Sequence, residues 1–387
     1  MAQTSQLLLP SPVVVGGGAS QGLPEHARRL GLERVLVVTD DYLLENGPVN
    51  GLVEALEATG ISTSVYSGTQ PDPTVANVGD AMEMLHEHGG EGVVVIGGGS
   101  PIDAGKAVAI MARNPGGIAD YAGYDQFDER GLALIAVPTT AGSGSEVTRA
   151  TVIADEERDV TLAIYDDKLM PTVAIVDYWL TLSMPRHLTA HVGLDSLVHA
   201  IEAYVSRLAT PLSDMLALEA VRQISPNLRT AFREPSDEAA RAAMMLGATL
   251  AGAAFSNASL GLVHGMSRPI GAHFHIPHGL SNALVFPAVT RFSLDFARER
   301  YASIARAMGV AREDASEEVA ASELVEELER LNEELEIPSL RELEVEAEAF
   351  EAALAPMADA AIASRSPEFN PRQPSAEEIV GLYREAY

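Results

Sequence analysis

The chain has 387 residues, of which 47% are hydrophobic, so it can bury a large core and suits two domains better than one. Lysine and arginine total 26 against 55 acidic residues, and the net charge of −29 argues against a nucleic-acid partner, whose phosphates need a basic surface. The chain has no cysteine, so disulfides and thiolate metal ligands are excluded. Only two lysines occur, Lys106 and Lys168, and this composition fits adaptation to salt and a GC-rich genome equally well.

No apolar run reaches the length of about 18 residues that crosses a membrane, so we expect no membrane association. The opening segment, MAQTSQLLLPSPVVV, lacks the basic stretch of a signal peptide. Together these features predict a cytoplasmic protein.

Short β-branched runs alternate with helical patterns over the first 180 or so residues. The predicted strands are VVVG (13–16), VLVVT (35–39), STSVY (62–66), VVVIG (93–97), LALIAV (132–137) and VAIV (173–176). The predicted helices between them cover 42–59, 74–89 and 100–112. Runs that are apolar on both faces and separated by helices indicate a parallel sheet covered on both sides. The segment 151–165 instead predicts a hairpin with DEER as its turn.

The pattern changes after LTLSMP (180–185). Long stretches rich in alanine, leucine and glutamate predict helices to the end of the chain, and no further strand is predicted. We therefore place a domain boundary near Leu182, with an α/β domain over 1–182 and an all-α domain over 183–387.

A glycine-rich turn follows the fourth predicted strand, in VVVIGGGSPIDAGKAVAI. The backbone N–H groups of such a turn, together with the N-terminus of the next helix, can cradle a diphosphate. The candidate residues are Gly97, Gly98, Gly99 and Ser100. Ile102 stands where the dinucleotide-binding fingerprint wants glycine or alanine, and a plain tight turn is the alternative.

Two further loops follow predicted strands. Asp40 ends VLVVTD, where a carboxylate can accept hydrogen bonds from ribose hydroxyls and repel a 2′-phosphate, which favours NAD over NADP; a helix N-cap explains it equally well. PTTAGSGSEVT (138–148) is a candidate ligand loop because open α/β sheets bind ligands at the carboxyl ends of their strands. Its hydroxyl residues are Thr139, Thr140, Ser143, Ser145 and Thr148, although a plain glycine/serine loop would look the same.

Seven of the ten histidines lie between His187 and His278. Asp195 and His199 are four residues apart in a helical pattern, so both side chains emerge on one face and offer half of a metal site. A second cluster, GLVHGMSRPIGAHFHIPHG, includes His264 and His278. Any metal here is held by nitrogen and oxygen.

Five motifs taken together resemble the iron-containing, or group III, alcohol dehydrogenases over nearly the whole chain. They are GGGSPIDAGK, PTTAGSGSEVT, DDKLMP, LTAHVGLDSLVHAIEAYVS and GLVHGMSRPIGAHFHIPHG. The resemblance implies the dehydroquinate synthase-like fold, in which an α/β dinucleotide-binding domain with a mostly parallel sheet precedes an all-α domain. It also implies a homodimer or larger assembly, and Fe²⁺ or Zn²⁺ bound by Asp195, His199, His264 and His278.

The resemblance also assigns the cofactor residues and the reaction. The GGGS loop, with Asp103 in the same motif, would hold the pyrophosphate. Thr139, Thr140 and Lys168 would line the nicotinamide side, and Asp72 in QPDPT, where the family often has asparagine, would contact the adenosine side. The implied reaction passes hydride between a primary alcohol, or its aldehyde, and a nicotinamide cofactor while the metal polarises the substrate oxygen.

Position 268 departs from the family, which commonly has a histidine there; this chain has Arg268. Arginine cannot act as a base near neutral pH, but it can bind a carboxylate or phosphate in a bidentate manner. Either the substrate carries an anionic group, as a semialdehyde acid or hydroxy acid does, or Arg268 pairs with an acid of the protein. His273 and His275 are additional histidines. Either one of them, for which we take His273, replaces the missing proton relay, or both line the active-site cleft or pack against a helix.

Four other functions are possible for a chain with these motifs. A dehydroquinate synthase would need a lysine- and arginine-rich site for its phosphate substrate, which two lysines and Arg268 supply poorly. A zinc glycerol dehydrogenase-like enzyme stays an alternative, whereas a maleylacetate reductase would work without this metal set. A non-catalytic nucleotide-binding or metal-storage protein would bind metal without forming NADH from an alcohol.

Overall fold

A computed structural model describes residues 5–158 and 160–387 of the chain. The described residues form two compact units, one of Leu8–Ser183 and the other of Met184–Tyr387 with residues 5–7. Residues 1–4, which begin the segment that argued against a signal peptide, and Asp159, in the predicted hairpin, lie outside the described residues.

The unit Leu8–Ser183 is built on a parallel sheet, as predicted. Its strands are β1 (Val13–Val15), β2 (Arg34–Val38), β3 (Ser62–Tyr66), β4 (Gly92–Gly97), β5 (Gly123–Tyr124), β6 (Ala133–Pro138), β7 (Ala150–Asp155), β8 (Val160–Tyr165) and β9 (Val173–Val176). Its α-helices are α1 (Leu23–Arg29), α2 (Asp41–Asn46), α3 (Val49–Glu57), α4 (Val75–His88) and α5 (Gly99–Met111). Six strands form one sheet in the order β1-β9-β6-β4-β2-β3, with every neighbouring pair parallel.

The sheet buries both of its faces. Along β4, Val93 and Val95 belong to one hydrophobic core, whereas Val94 and Ile96 belong to the core on the opposite face. Side chains of a strand alternate between faces, so an uninterrupted apolar run is what a doubly covered strand requires. The predicted two-sided burial is therefore confirmed.

The predicted hairpin is also present. β7 and β8 are antiparallel, with Ala150 opposite Tyr165 and Asp155 opposite Val160. The sequence did not predict β5, which adds to β8 to form a separate three-stranded sheet. A two-residue strand that begins with glycine carries no periodicity from which it could be predicted.

The predicted single helix over 42–59 is wrong in one respect, because it is divided into α2 and α3. The break falls at Gly47, which is extended with φ −112° and ψ −166°, immediately before Pro48. Proline disfavours the helical conformation in the residue that precedes it. The helix therefore ends there, and Pro48 becomes the N-cap of the next one.

The second unit is helical, and no strand occurs in residues 184–387, as predicted. Its α-helices are α6 (Arg186–Val205), α7 (Pro211–Arg233), α8 (Glu238–Asn257), α9 (Leu262–Phe274), α10 (His278–Ser293), α11 (Arg298–Ala307), α12 (Glu317–Glu334), α13 (Ala347–Ala363) and α14 (Ala376–Ala386). Helix α8 is long and apolar enough to cross a membrane by composition, but 67% of that stretch is buried in the fold. That burial is typical of a core helix.

Candidate metal centre and cofactor loops

Three helices bring the four candidate metal ligands together. Asp195 and His199 lie one turn apart on α6, His264 lies in the first turn of α9, and His278 is the first residue of α10. One ligand atom from each lies within 4.8 Å of all the others. The structure therefore assembles residues that are far apart in the sequence around one point.

The dimensions of this cluster suit a metal ion. Oδ1 of Asp195 lies 3.5 Å from Nε2 of His199, 3.6 Å from Nε2 of His264 and 3.8 Å from Nε2 of His278. Bonds of about 2.1 Å to a tetrahedral ion place neighbouring ligand atoms about 3.4 Å apart. Three of the four side chains are buried, whereas 43% of the His278 side chain is exposed, so the cluster is open on one side.

Glu202 orients the His264 ring by binding Nδ1, the ring nitrogen that faces away from the cluster. One carboxylate oxygen lies 2.7 Å from Nδ1 of His264, and the other accepts the backbone N–H of Val263 at 2.7 Å. Since a carboxylate accepts, the proton of a neutral His264 ring is on Nδ1, and the lone pair of Nε2 faces Asp195. A lone pair facing a carboxylate is unfavourable unless a cation lies between them, so the donor chemistry fits a metal.

Asn282 lies inside the same cluster, one turn after His278. Its Nδ2 lies 2.6 Å from Oδ1 of Asp195 and 3.3 Å from Nε2 of both His264 and His278. Its Oδ1 is buried and has no hydrogen-bond partner among the described residues. Three acceptor atoms converge on one amide NH₂ group, so the electrostatic potential at this position favours a cation.

The ionisation of the cluster is set by opposing effects. Burial by itself raises the pKa of Asp195, but the surrounding imidazoles outweigh it and hold that pKa well below its usual range. Burial lowers the pKa of His264, yet the neighbouring carboxylates of Asp195 and Glu202 raise it overall. Desolvation lowers the pKa of His278, and the nearby Arg268 guanidinium lowers it further. Asp195 is therefore ionised at every pH at which the neutral histidines can bind a metal.

The closeness of α6 and α10 depends on Gly279, the residue after His278. A Cβ atom at Gly279 would lie 2.5 Å from the carbonyl oxygen of His191 and 3.4 Å from Cβ of Asp195. Real Cβ atoms do not approach a backbone carbonyl so closely, so only glycine fits here. The contact fixes how far His278 lies from Asp195.

The candidate cofactor loops meet at one end of the parallel sheet. The GGGS turn joins β4 to α5, and the backbone N–H of Thr139, after β6, donates to the carbonyl of Gly97 at 3.0 Å. Gly98 is the N-cap of α5 and has no side chain to satisfy the N–H groups of the first turn, at Gly99 and Ser100. Those groups are available to a diphosphate, so the loop fits a nucleotide.

Three of the predicted cofactor residues make contacts inside the protein: Asp103, Ser143 and Thr148. Asp103 accepts the hydroxyl of Ser145 at 2.6 Å and the N–H of Val152 at 2.9 Å. Lys106, which is buried, donates to Ser145 and Thr148 at 2.9 and 2.8 Å. Ser143 accepts the N–H of Ser145 at 3.3 Å. This network fastens the 138–148 loop to α5, whereas Thr140 is left partly exposed.

Asp40 and Asp72 differ in their surroundings. Asp40 is the N-cap of α2 and accepts the N–H of Leu43 at 2.8 Å, so the helix-cap alternative is realised. It also follows β2, the neighbour of β4, at the carboxyl edge of the sheet. Asp72 is exposed and has a φ of 54°, a conformation that asparagine and aspartate adopt more readily than other side chains.

Lys168 lies beside a cavity of the same unit. Its Nζ is 3.3 Å from Oδ1 of Asp166, and its side chain lines a cavity of about 250 Å³ with Lys106, Arg130 and Leu134. Arg130 precedes β6 and Leu134 is near its start, so the cavity extends toward the amino end of that strand. Lys168 therefore shares this cavity with Lys106, whose ammonium group binds Ser145 and Thr148 of the 138–148 loop.

Arg268 and His273, the predicted catalytic side chains, are both on α9. Arg268 is one turn after His264 and partly buried, and its charge acts on His278. His273 is exposed in the last turn, with its ring 6.2 Å from that of Phe274. His275 ends the helix with a φ of 55°. The structure brings Arg268, but not His273, into electrostatic contact with the cluster.

Glu202 and Asn282 were missed by sequence reasoning. Glu202 is three residues after His199 and Asn282 is four after His278, so helical spacing places each on the face of a ligand. That spacing was the signal that could have identified them.

A parallel nucleotide-type sheet and a helical unit that carries an Asp-His₃ cluster define a class of metal-dependent dehydrogenases. Two family models match the chain: iron-containing alcohol dehydrogenase over residues 10–178, and the C-terminal part of the Fe-containing alcohol dehydrogenase family over residues 189–387. The chain belongs to the iron-containing alcohol dehydrogenase family, and it is an oxidoreductase that interconverts alcohols and aldehydes.

Similar proteins match along their full length. Alcohol dehydrogenase 4 of Saccharomyces cerevisiae is 36% identical, with 100% of each chain covered. NAD-dependent methanol dehydrogenase of Bacillus methanolicus is 35% identical and covers 99% of this chain and 100% of its own. The crystal structure of a 1,3-propanediol oxidoreductase superposes with a TM-score of 0.96 at 35% identity, over 100% of both chains.

Proposed function

We propose that Asp195, His199, His264 and His278 bind Fe²⁺ and that the enzyme uses NAD to oxidise primary alcohols or to reduce their aldehydes. The main support for the metal site is that three helices bring four donor atoms within 4.8 Å of one another. Three imidazoles and one carboxylate suit Fe²⁺ and Zn²⁺ alike. The name of the family supports iron.

The side chains of the cluster prepare the site in distinct ways. When bound there, the metal supplies Lewis acidity toward the substrate oxygen. Asp195 provides one negative charge, and Glu202 keeps the proton of His264 on Nδ1 so that Nε2 is free to coordinate. The exposed edge of His278 leaves the substrate a way in. With NAD⁺ bound, the carbinol carbon of the alcohol would lose a hydride to it and the hydroxyl would lose a proton to solvent, which would give the aldehyde and NADH.

We further propose that the GGGS turn holds the pyrophosphate, that Thr140 lies toward the nicotinamide, and that Asp40 selects NAD. Asp40 uses one carboxylate oxygen for the cap of α2, which leaves the other for ribose hydroxyls. Asp72, exposed on the loop before α4, remains a candidate for the adenosine side. Asp103, Ser143 and Thr148 would act indirectly, by holding the 138–148 loop in place.

The decisive experiment compares His264→Ala with His86→Ala, an exposed histidine outside the cluster, after anaerobic loading with Fe²⁺ or Zn²⁺. We expect His264→Ala to lose bound metal and more than about 100-fold in kcat/KM, because a ligand is removed, while NADH binding survives. Near wild-type activity with bound metal in His264→Ala would show that the site is elsewhere. Parallel assays with NAD and NADP test the cofactor preference.

Three broader features belong to the same proposal. The segments 1–182 and 183–387 would be the dinucleotide-binding and metal-binding domains. The enzyme would be cytoplasmic and would form a homodimer or a larger assembly, as the family resemblance implies. Light scattering of the purified protein tests the assembly, and a monomer would contradict it.

A further inference from the structure

Arg268 differs from every other partly or fully buried arginine of the described residues in having no partner. The others each hydrogen-bond or form an ion pair within the protein; they are Arg149, Arg229, Arg241, Arg300, Arg306 and Arg372. Arg268 is partly buried, yet no described residue accepts a hydrogen bond from it or forms an ion pair with it. Of the two alternatives for Arg268, pairing with an acid of the protein is therefore not realised among the described residues.

A lack of available carboxylates does not explain this. The chain has 55 acidic residues against 26 lysines and arginines, and most of its arginines find an acid. A guanidinium carries five N–H donors in a planar fork, and withdrawing them from water without a partner is costly. An arginine kept unpaired at a partly buried position can form that pair with a ligand instead.

The position of Arg268 indicates that this ligand is the substrate. It lies four residues after His264 on α9, and such residues are about 6 Å apart at Cβ on the same helical face. Its charge also acts on His278, a second member of the cluster. If the reacting oxygen of the substrate lies at the cluster, a group two to four carbons away from it would lie within reach of the guanidinium.

We propose that Arg268 binds a carboxylate at the far end of the substrate, so that the preferred substrates are short ω-hydroxy acids and the corresponding aldehyde acids. This rests on the proposed function, since it takes the cluster as the place of the reacting oxygen. The carboxylate itself undergoes no bond change. The carbinol carbon still loses a hydride to NAD⁺, and the hydroxyl loses a proton to solvent.

The test uses the metal-loaded enzyme and two substitutions of Arg268. ω-Hydroxy acids of three, four and five carbons are compared with the neutral n-alkanols of the same lengths in wild type, Arg268→Met and Arg268→Lys. We expect the wild type to prefer the acids, and the ratio of kcat/KM for acid over alcohol to fall by about 10- to 100-fold in Arg268→Met. Arg268→Lys keeps the charge but not the fork, so it should retain part of the preference.

A binding measurement makes the test independent of turnover. Calorimetry with succinate, added to metal-loaded enzyme that holds NADH, should give a dissociation constant at least about 10-fold weaker in Arg268→Met than in wild type. Arg207→Met is the matched control, because Arg207 is an exposed arginine of the same unit. It should change neither the substrate ratio nor the succinate affinity.

The outcomes separate this inference from the proposed function. If wild type oxidises neutral alcohols, shows no preference for acids, and binds succinate as Arg268→Met does, the carboxylate site is wrong while the metal-dependent activity stands. If no alcohol is oxidised and the cluster holds no metal, the proposed function fails. Succinate titration of the metal-free wild type and of metal-free Arg268→Met then still decides whether Arg268 binds a carboxylate.

Discussion

At the scale of single residues, Glu202 determines how His264 presents itself to a metal. Glu202→Gln removes the negative charge and leaves one acceptor oxygen for two donors, Nδ1 of His264 and the N–H of Val263. We expect metal affinity to fall by about 10- to 100-fold, because partners of ligating histidines contribute that much. Chelator competition measures this directly, with Glu299→Gln, an exposed glutamate, as the control. An unchanged metal dissociation constant would remove Glu202 from the site.

Lys106 provides a test that depends on pH. Burial lowers the pKa of Lys106 from its ordinary value of 10.5 to about 8, against the opposing influence of Asp103 and Glu146. Between these values the unfolded chain binds more protons than the folded one, so this residue makes the protein more stable as pH rises through the window. The shift corresponds to about 3 kcal/mol.

The prediction compares wild type with Lys106→Met in urea at several pH values. The apparent free energy of unfolding of wild type, minus that of the variant, should rise by about 2–3 kcal/mol from pH about 7 to about 10.5. Taking the difference cancels the other groups that titrate in this range. A constant difference would mean that the folded protein does not destabilise the charged form of Lys106.

Residue identity alone explains only part of the candidate site. Asp195 and His199 could be predicted because helical spacing joins two good ligands on one face. His264 and His278 were chosen through the family resemblance, since spacing cannot show which helices meet in space. The supporting roles of Glu202 and Asn282 escaped prediction because polar residues in helices have many uses, and only packing shows which one applies.

At the scale of elements, the packing of α5 on β4 positions the GGGS turn. Gly105 makes this possible, because a Cβ atom there would lie 2.2 Å from Cγ2 of the buried Val95. Gly105→Ala should therefore destabilise the protein by about 1–3 kcal/mol and weaken NADH binding, since α5 must shift. Gly79→Ala, in α4, has open space around it and should be neutral or stabilising by up to about 1 kcal/mol.

Urea unfolding and NADH fluorescence titration measure both effects of the Gly105 substitution. Equal stability and NADH affinity in the two alanine variants would contradict the proposed role of Gly105 in the packing of α5.

The strands and helices also show where sequence patterns predict structure well. The six strands of the large sheet were predicted because β-branched runs flanked by helices have few alternatives, whereas the division of 42–59 into α2 and α3 was decided by the single residue Pro48.

At the scale of the whole molecule, the metal should hold α6, α9 and α10 together, because they supply its four ligands. Removal of the metal by a chelator should lower the Tm, because a ligand that binds only the folded state stabilises it by about 2.7 kcal/mol at a free concentration 100 times Kd. Re-addition of Fe²⁺ should restore both the Tm and the activity. A Tm that does not respond to chelation, in protein shown to have lost its metal, would show that the cluster is rigid without an ion.

The net charge of −29 has its own consequence for the molecule. Excess negative charge repels itself in the compact state, and salt shortens the screening length from about 10 Å at 0.1 M to about 3 Å at 1 M. We therefore expect the Tm to rise with NaCl over this range. A Tm that falls with salt would mean that the surface ion pairs contribute more than the repulsion costs.

Because residue 279 is glycine, α10 can approach the backbone of α6 closely, and this approach determines the size of the metal site. The close approach of α10 to the carbonyl of His191 sets the separation of Asp195 and His278, and the tightest contact there is with the backbone of α6. A descendant of this enzyme could therefore change its metal, or lose it, while keeping all four ligands, through one added methyl group at position 279. Comparison of ligand sets alone would miss such a change, and the residue that follows the last histidine would have to be read with them.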